Sequence, residues 1–337
     1  VGLATLKEVA ARAGVGLGTA SRAISGKGPV SAAALARVRE AVEALDFRPS
    51  SIGRAMVQQS LGIIGIFAPT FIGSYYGSLL READTELRAV GRHIVVATGC
   101  GAVSPREQAL EGVEFLIERD CDGILVVSHD LLDEDLLRLR RSQPRMAFLN
   151  RVFERMPEAS FCADHWHGGE LAARTLLEHG HRQFAVIAGP FTAADNMARI
   201  DGFRVELARH GIGPEQMTVV ESDFSTEGGY ASMRRLLDAQ ARFTGLFCAN
   251  DQMAAGALSC LHQAGVEVPR QMSVIGYDDD FSAPYLTPAL TSVHVPTVEL
   301  TRNATRWLIN ACYGNSLPIE RDFPVSVTMR ASVGQVG

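Results

Sequence analysis

From Leu61 onward, short apolar runs alternate with amphipathic stretches, and this alternation constrains the fold more than any other feature of the chain. The runs LGIIGIFA, HIVVAT, GILVVS and MAFLN precede Cys162; FAVIAG, TVVE, GLFCA and SVIGY follow it. Apolar residues at helical spacing predict helices between them, as at 76–90, 106–119, 169–180, 197–210 and 252–265. Strands covered on both faces by such helices form parallel sheets. Two sets of strands in about 270 residues predict two doubly wound α/β lobes rather than one. Ligands of such folds sit beyond the carboxyl ends of the strands, here between the lobes.

The first sixty residues have another character. The stretch GVGLGTASRAIS places Gly14, Gly16 and Gly18 within five residues. A phosphate-cradling loop with such glycines must follow a strand and open a helix. Here TLKEVAARA precedes it, with Leu6, Val9, Ala10 and Ala13 at helical spacing and Thr5 and Glu8 placed as a capping box. Thr19 also stands where the third glycine belongs.

A helix–turn–helix fits better. Gly14 ends the first helix, Val15 fills the turn, and a short helix runs from about Leu17 to Ser25 with Ala20, Ala23 and Ile24 inward. Its outward side shows Leu17, Gly18, Thr19, Ser21 and Arg22, suited to a major groove where Arg bonds guanine and hydroxyls reach bases or phosphates. A third helix follows Ser31, its N-cap, with Leu35, Val38, Val42 and Leu45 stepping by three and four. Residues 1–60 hold eight basic side chains against four acidic ones, while the whole chain carries −6. A basic head on an acidic body suits double-stranded DNA, with a protein-binding three-helix bundle as the plainer alternative.

In FRPSSIGRAMVQQS, Pro49 ends the preceding structure, and Ser50 or Ser51 can cap a short helix reaching Met56. Two helical turns containing Gly53 are marginal alone, so this helix needs a partner to form; a plain linker is the alternative.

Other classes are disfavoured. No apolar run approaches the roughly 18 residues of a membrane span, and no apolar leader opens the sequence. Six scattered cysteines without a C-x-x-C pair fit a reducing cytoplasm. Neither a nucleophile elbow nor a phosphate loop is present, so no enzyme, catalytic residue or cofactor is expected. Cys162, Asp164, His165 and His167 lie close together, but no second ligand cluster accompanies them and no metal site is assigned.

The head, TLKEVAARAGVGLGTASRAISGKGPVSAAALARVREAVEALDFRPSSIGRAM, resembles the lactose- and galactose-repressor family of bacterial transcription regulators. The resemblance continues through DHWHGGELAARTLLEHGHRQFAVIAGP, ARIDGF, CANDQMAAGAL and SVIGYDDDFSAPYLTPALTSV, and so spans nearly the whole chain. FLNR and VHVPTVEL point to the galactose branch.

The resemblance implies a helix–turn–helix head at 1–48, a hinge helix and linker at 49–60, and a core like the periplasmic sugar-binding proteins. Its first lobe would comprise 61–161 and 291–320, its second 162–290 and 321–337. Thr5, Leu17, Gly18, Thr19, Ser21, Arg22, Ser31 and Ser50 form the DNA-binding set. Met56 takes the place of the apolar wedge that kinks the operator from its minor groove. Gly16 and Gly18 depart from the usual Ser and longer base-reading side chain, and Met56 from Leu, which alters the preferred operator.

For the effector, the resemblance and the strand ends select Tyr75, Tyr76, Asn150, Arg199, Phe224, Asn250 and Asp278. The aromatics would pack on a sugar or base, Arg199 would span two hydroxyls, and Asn150, Asn250 and Asp278 would bond hydroxyls. Tyr75 and Tyr76 can equally be helix residues packed on a sheet. Asp251 reads as a helix N-cap, Arg151 as a lobe-to-lobe ion pair, and at least one of Asp278, Asp279 and Asp280 as solvated.

The expected protein is a sugar-responsive repressor, a homodimer on a pseudo-palindromic operator with a hexose or galactoside as effector. Regulators of the same family answering to purines or sugar acids are the nearest alternatives, and a transport-type sugar-binding protein a more distant one.

Overall fold

The computed structural model describes residues 4–25, 28–47, 60–99 and 103–336. The chain divides into two units, residues 1–62 and 63–337. Residues 49–59 of the expected hinge, with Ser50 and Met56, lie outside the described residues.

In the first unit, helix Leu6–Ala13 opens on the capping box read from sequence. Thr5 Oγ1 accepts from the Glu8 amide at 3.3 Å while Glu8 Oε2 accepts from the Thr5 amide at 2.7 Å. Gly14 closes the helix at φ 61°, the left-handed conformation that favours glycine. Helix Leu17–Ser25 and helix Ala32–Ala44 follow, the latter capped by Ser31, whose Oγ accepts from the Ala34 amide. Val9, Ala10, Ala13, Ala20, Val38, Ala41 and Phe47 make a small core between the three.

The second unit contains two sheets. Strands β1 (Ile63–Ala68), β2 (His93–Thr98), β3 (Gly123–Val126), β4 (Met146–Leu149) and β5 (Ser160–Phe161) form the first, in the order β2-β1-β3-β4-β5, all parallel. The second holds β6 (Phe184–Ala188), β7 (Met217–Glu221), β8 (Gly245–Cys248), β9 (Ser273–Asp278), β10 (Thr291–His294) and β11 (Ser326–Thr328). Its order is β11-β10-β9-β8-β6-β7, parallel except for β10 against β11. That edge pair departs from the wholly parallel expectation, because the chain leaves the sheet after β10 and re-enters from the far side.

Two lobe boundaries also move. The crossing expected at 290 falls between His294 and Thr297, since β10 pairs with β9 in the second sheet. Helix Thr297–Tyr313 then packs on β3, β4, β5 and helix Ser74–Ala89 of the first lobe. The return expected at 320 comes after Phe323. Arg321 lies over the Phe161 ring at 4.2 Å, and the rings of Phe161 and Phe323 are 6.4 Å apart, so this segment still belongs to the first lobe.

Backbone-close helix crossings hold the second lobe. A Cβ on Gly169 would run into the Arg199 carbonyl, and one on Gly202 into that of Trp166. Helix His165–Glu178 thereby sits directly against helix Ala194–Arg209, the helix that carries Arg199. Gly229 and Gly256 do the same for helices Thr226–Asp238 and Asp251–Gln263. Among the described residues, no helix is long and apolar enough to cross a membrane.

Candidate effector cleft and DNA-reading head

Two faces meet between the lobes, at the carboxyl ends of the strands. From the first lobe come Tyr75 and Tyr76, at the start of helix Ser74–Ala89, and Asn150, just after β4. Tyr75 bonds Asn150 through its hydroxyl, and the two tyrosine rings meet edge to face at 5.2 Å. From the second lobe come Asp195, Arg199 and Asp278, whose charges act on both tyrosine hydroxyls across the interface. Six of the seven residues selected from sequence line this junction. Both tyrosines also pack against the hydrophobic core, as the alternative had it, and Tyr75 in addition has its hydroxyl bonded at the cleft.

Arg199 is the centre of the second face. It is 3% exposed, with its guanidinium 4.1 Å over the Tyr277 ring. Nη1 donates to the Ala249 carbonyl at 2.5 Å and lies 3.9 Å from Asp278; Nη2 donates to Asp195 at 2.9 Å. Burial works against its charge, yet Asp195 and Asp278 keep its pKa above the ordinary value. For Asp195 burial likewise opposes ionisation, and Arg199 holds the carboxyl below its usual range. Asp278 is left less well matched. Burial pushes it up to about 7, against the opposing pull of Arg199.

The backbone is unusual where it bends into the cleft. Asn150, Phe224 and Asp278 take φ of 56°, 66° and 100°, conformations that L side chains rarely adopt. Strain of this kind concentrates at binding sites and persists only where surrounding structure enforces it. Asn250 shows how it is enforced. Its Oδ1 caps helix Asp251–Gln263 by accepting from the Met253 amide, and its Nδ2 donates to the Phe224 carbonyl, both at 2.9 Å. Asn250 therefore positions Phe224 rather than offering an acceptor to a hydroxyl, a correction to its expected role. The Phe224 ring reaches across to His129 of the first lobe, 6.1 Å away.

Neighbouring acidic residues also differ from expectation. Asn250, not Asp251, is the N-cap; Asp251 instead accepts from Ser292 Oγ at 2.6 Å and from the Asp280 amide at 2.8 Å. None of Asp278, Asp279 and Asp280 is fully solvated. Asp279 binds Arg330, Thr328 and His294, while Asp280 accepts from Ser74 of the opposite lobe. Arg151 pairs with Asp133 at 2.5 Å within its own lobe, so it is not the lobe-to-lobe ion pair expected.

Sequence reasoning missed Asp195, His165, Tyr277 and the Gly168–Gly169 pair. His165 Nδ1 lies 3.0 Å from the Tyr277 hydroxyl, and burial with the adjacent Arg199 charge lowers its pKa to about 3. A Cβ on Gly168 would overlap Tyr277, the ring on which Arg199 rests. Asp195 was within reach of sequence, four residues before Arg199 on one helix face. The double glycine in HWHGGEL was a second signal, since glycine inside a helix points to close approach.

In the head, Leu17 is 54% exposed, Gly18 and Arg22 are exposed, and Thr19 and Ser21 are half-buried. Arg22 Nη2 lies 3.5 Å from Thr19 Oγ1. Thr5 and Ser31 are exposed helix caps. A Cβ at Gly16 or Gly18 would meet nothing within 4 Å, and neither residue has positive φ. The head itself thus places no demand for glycine there.

Residues 5–50 match the family model described as bacterial regulatory proteins, lacI family, and residues 173–333 match the periplasmic binding protein-like domain. The HTH-type transcriptional regulator AscG of Escherichia coli is 32% identical over 335 residues, covering 98% of both chains. This chain belongs to the LacI family. The LacI-family fold extends to solved structures. A LacI-family transcriptional regulator from Burkhoderia phymatum shares 65% identity over 81% of this chain and all of its own, with a TM-score of 0.80. The lac repressor dimer bound to operator and an anti-inducer shares 25% identity over 99% of this chain and all of its own, with a TM-score of 0.85. As a LacI-family member, the chain is a transcriptional regulator with a DNA-binding helix–turn–helix head.

Proposed function

We propose that this regulator is a homodimeric repressor that reads a pseudo-palindromic operator and is controlled by a small polyhydroxylated effector held between the lobes. The observation that carries the effector reading is a group of buried polar atoms without partners at the junction: Asn150 Oδ1, Asp195 Oδ1, Arg199 Nε and His165 Nε2. Buried polar groups are normally hydrogen-bonded, and each one left unmet costs about 1–3 kcal/mol. A ligand carrying several hydroxyls would satisfy them. The aromatic rings of Tyr76 and Phe224 supply apolar faces for a sugar ring beside them.

Leu17, Gly18, Thr19, Ser21 and Arg22 would enter the major groove, with Thr5, Ser31 and Ser50 at the phosphates. Residues 49–60 would form hinge helices paired across the dimer, with Met56 wedged into the minor groove. Effector binding would change the angle between lobes and hence the cost of forming the hinges. Coupling of about 1–3 kcal/mol, roughly 5–150-fold in affinity, is usual for such linkage. The test is an operator titration by fluorescence anisotropy at fixed salt. Met56→Gly should weaken operator binding while effector affinity stays near normal, and unchanged operator affinity would refute the hinge role.

A further inference from the structure

We propose that the end of the first lobe where the chain enters the core is a second DNA contact, an arginine collar that grips the phosphate backbone without reading bases. It builds on the DNA-binding role of the family and needs neither an effector nor a hinge. The first sixty residues hold four more basic than acidic side chains and the whole chain carries −6, so residues 61–337 carry −10. A body of that charge is repelled by DNA as a whole. A part of it that rests against a duplex has to be locally basic.

Between parallel strands the helices run back against the sheet, so helix ends and the loops after them gather where the strands begin. Residues 90–92, 118–122 and 140–145 precede β2, β3 and β4, and share the end at which Ile63 opens β1. Bonds tie these segments to the entry point. Asp122 Oδ2 accepts from the Ile63 amide at 3.1 Å and from the Tyr313 hydroxyl at 2.9 Å. Arg92 lies 4.3 Å over the Tyr313 ring. Gln143 Nε2 donates to the Cys121 carbonyl at 2.7 Å, which joins the loop before β4 to the loop before β3.

The three segments hold Arg92, Arg119, Arg140, Arg141 and Arg145 against Glu118, Asp120 and Asp122. Asp122 is buried and engaged by the entry strand, which leaves the arginines in excess at the surface. Arg119, Arg141 and Arg145 are exposed, and among the described residues none of the five arginines has a carboxylate within ion-pair distance. Elsewhere exposed arginines are matched, as Arg88 is by Asp84, Arg138 by Glu114, Arg204 by Asp201 and Arg270 by Glu267. Stacking on Tyr313 engages the face of the Arg92 guanidinium and leaves its edge for an oxyanion. Basic residues at helix ends also answer the helix macrodipole. Arg242 holds the like place ahead of β8 in the second lobe, away from the chain entry, and so measures that share.

The experiment is fluorescence anisotropy of the full chain, over a salt series, with a long duplex recovered by selection from a random-sequence library. Arg119→Gln, Arg141→Gln and Arg145→Gln combined should bind about tenfold more weakly and flatten log K against log[salt] by about one per arginine. Selection with this variant should return the same sequence, and lysine at the three positions should restore affinity and slope. Arg119→Gln and Arg141→Gln taken singly each flatten the slope by about one, which keeps the test if the triple variant melts early. Arg242→Gln should leave the slope as it is. Unchanged affinity and slope in the glutamine variants would overturn the collar, as would an equal effect of Arg242→Gln, which would mean net charge alone. A shifted sequence preference would overturn the claim that no base is read, and a full chain that retains no duplex would overturn the contact outright.

Discussion

His181 illustrates how a single buried ring can set the pH response of the second lobe. It is 2% exposed, its Nδ1 lies 2.9 Å from Thr244 Oγ1, and the backbone of Gly334 offers the ring a second hydrogen bond. Burial lowers its pKa to about 4, below the roughly 6.5 of an unfolded histidine. The unfolded chain therefore binds a proton that the folded chain refuses between those values. The stability contributed by the neutral ring is whole above pH 6.5 and fades as pH falls towards 4. Chemical denaturation of the chain and of His181→Asn should show their stability difference shrinking by about 1–2 kcal/mol from pH 7 to pH 5. A difference that stays constant across that range would mean the ring titrates normally. The histidine turn was visible in sequence as HGHR, but its burial depends on Thr244, more than sixty residues away. Likewise, Asn250 and Asp251 are adjacent polar residues at a strand end, and sequence offers no measure of which adopts the extended backbone of a cap. The partner groups decide it: Ser292 and the Asp280 amide claim Asp251.

Helices and strands were more legible than their contacts. Each of the eight apolar runs quoted above contains a strand, because short, largely apolar runs between turns admit few other structures. The short β5, β10 and β11 carried too little pattern to stand out, and β10 and β11 are the pair that moved the lobe boundary. Helix crossing is where sequence was least explicit and structure most specific. Arg199 reaches the cleft because the backbone of its helix lies directly against Gly169 and Gly202 sits under Trp166. Gly169→Ala should force these helices apart, costing about 1–3 kcal/mol as overpacking does. It should also weaken effector binding more than a substitution of equal cost elsewhere in the lobe. Urea denaturation and calorimetry on one preparation separate the two effects; a variant as stable as the parent with full affinity would show that the crossing does not position Arg199.

At the scale of the whole regulator, Ser74 to Asp280 is a polar contact across the lobes at the mouth of the cleft, and Gly73, at φ 96°, packs so close to Gln252 that it leaves no room for a Cβ. Ser74→Ala should weaken closure by about 1 kcal/mol, as loss of one hydrogen bond does, and so reduce effector affinity about fivefold without lowering the melting temperature of the head. Titration of a bound sugar against both proteins checks this; equal affinity would show that Ser74 does not contribute to closure. Division into a DNA-reading head and a two-lobed core was legible from charge and periodicity. Closure itself was not, since Ser74 and Asp280 are 206 residues apart.

The path of the chain through the lobes also orders events during synthesis. Helix Thr297–Tyr313 covers β3, β4 and β5, so the first lobe is left without that layer until residues 297–313 have been made. At ordinary ribosomal speed, about 5–20 residues per second, the wait after Phe161 lasts roughly eight to thirty seconds. The apolar face of the first sheet must stay uncovered, or be shielded by a chaperone, while the second lobe is being built. The lobe that begins first is therefore the one completed late, and a ribosome that stalls before residue 297 releases a chain lacking part of both lobes.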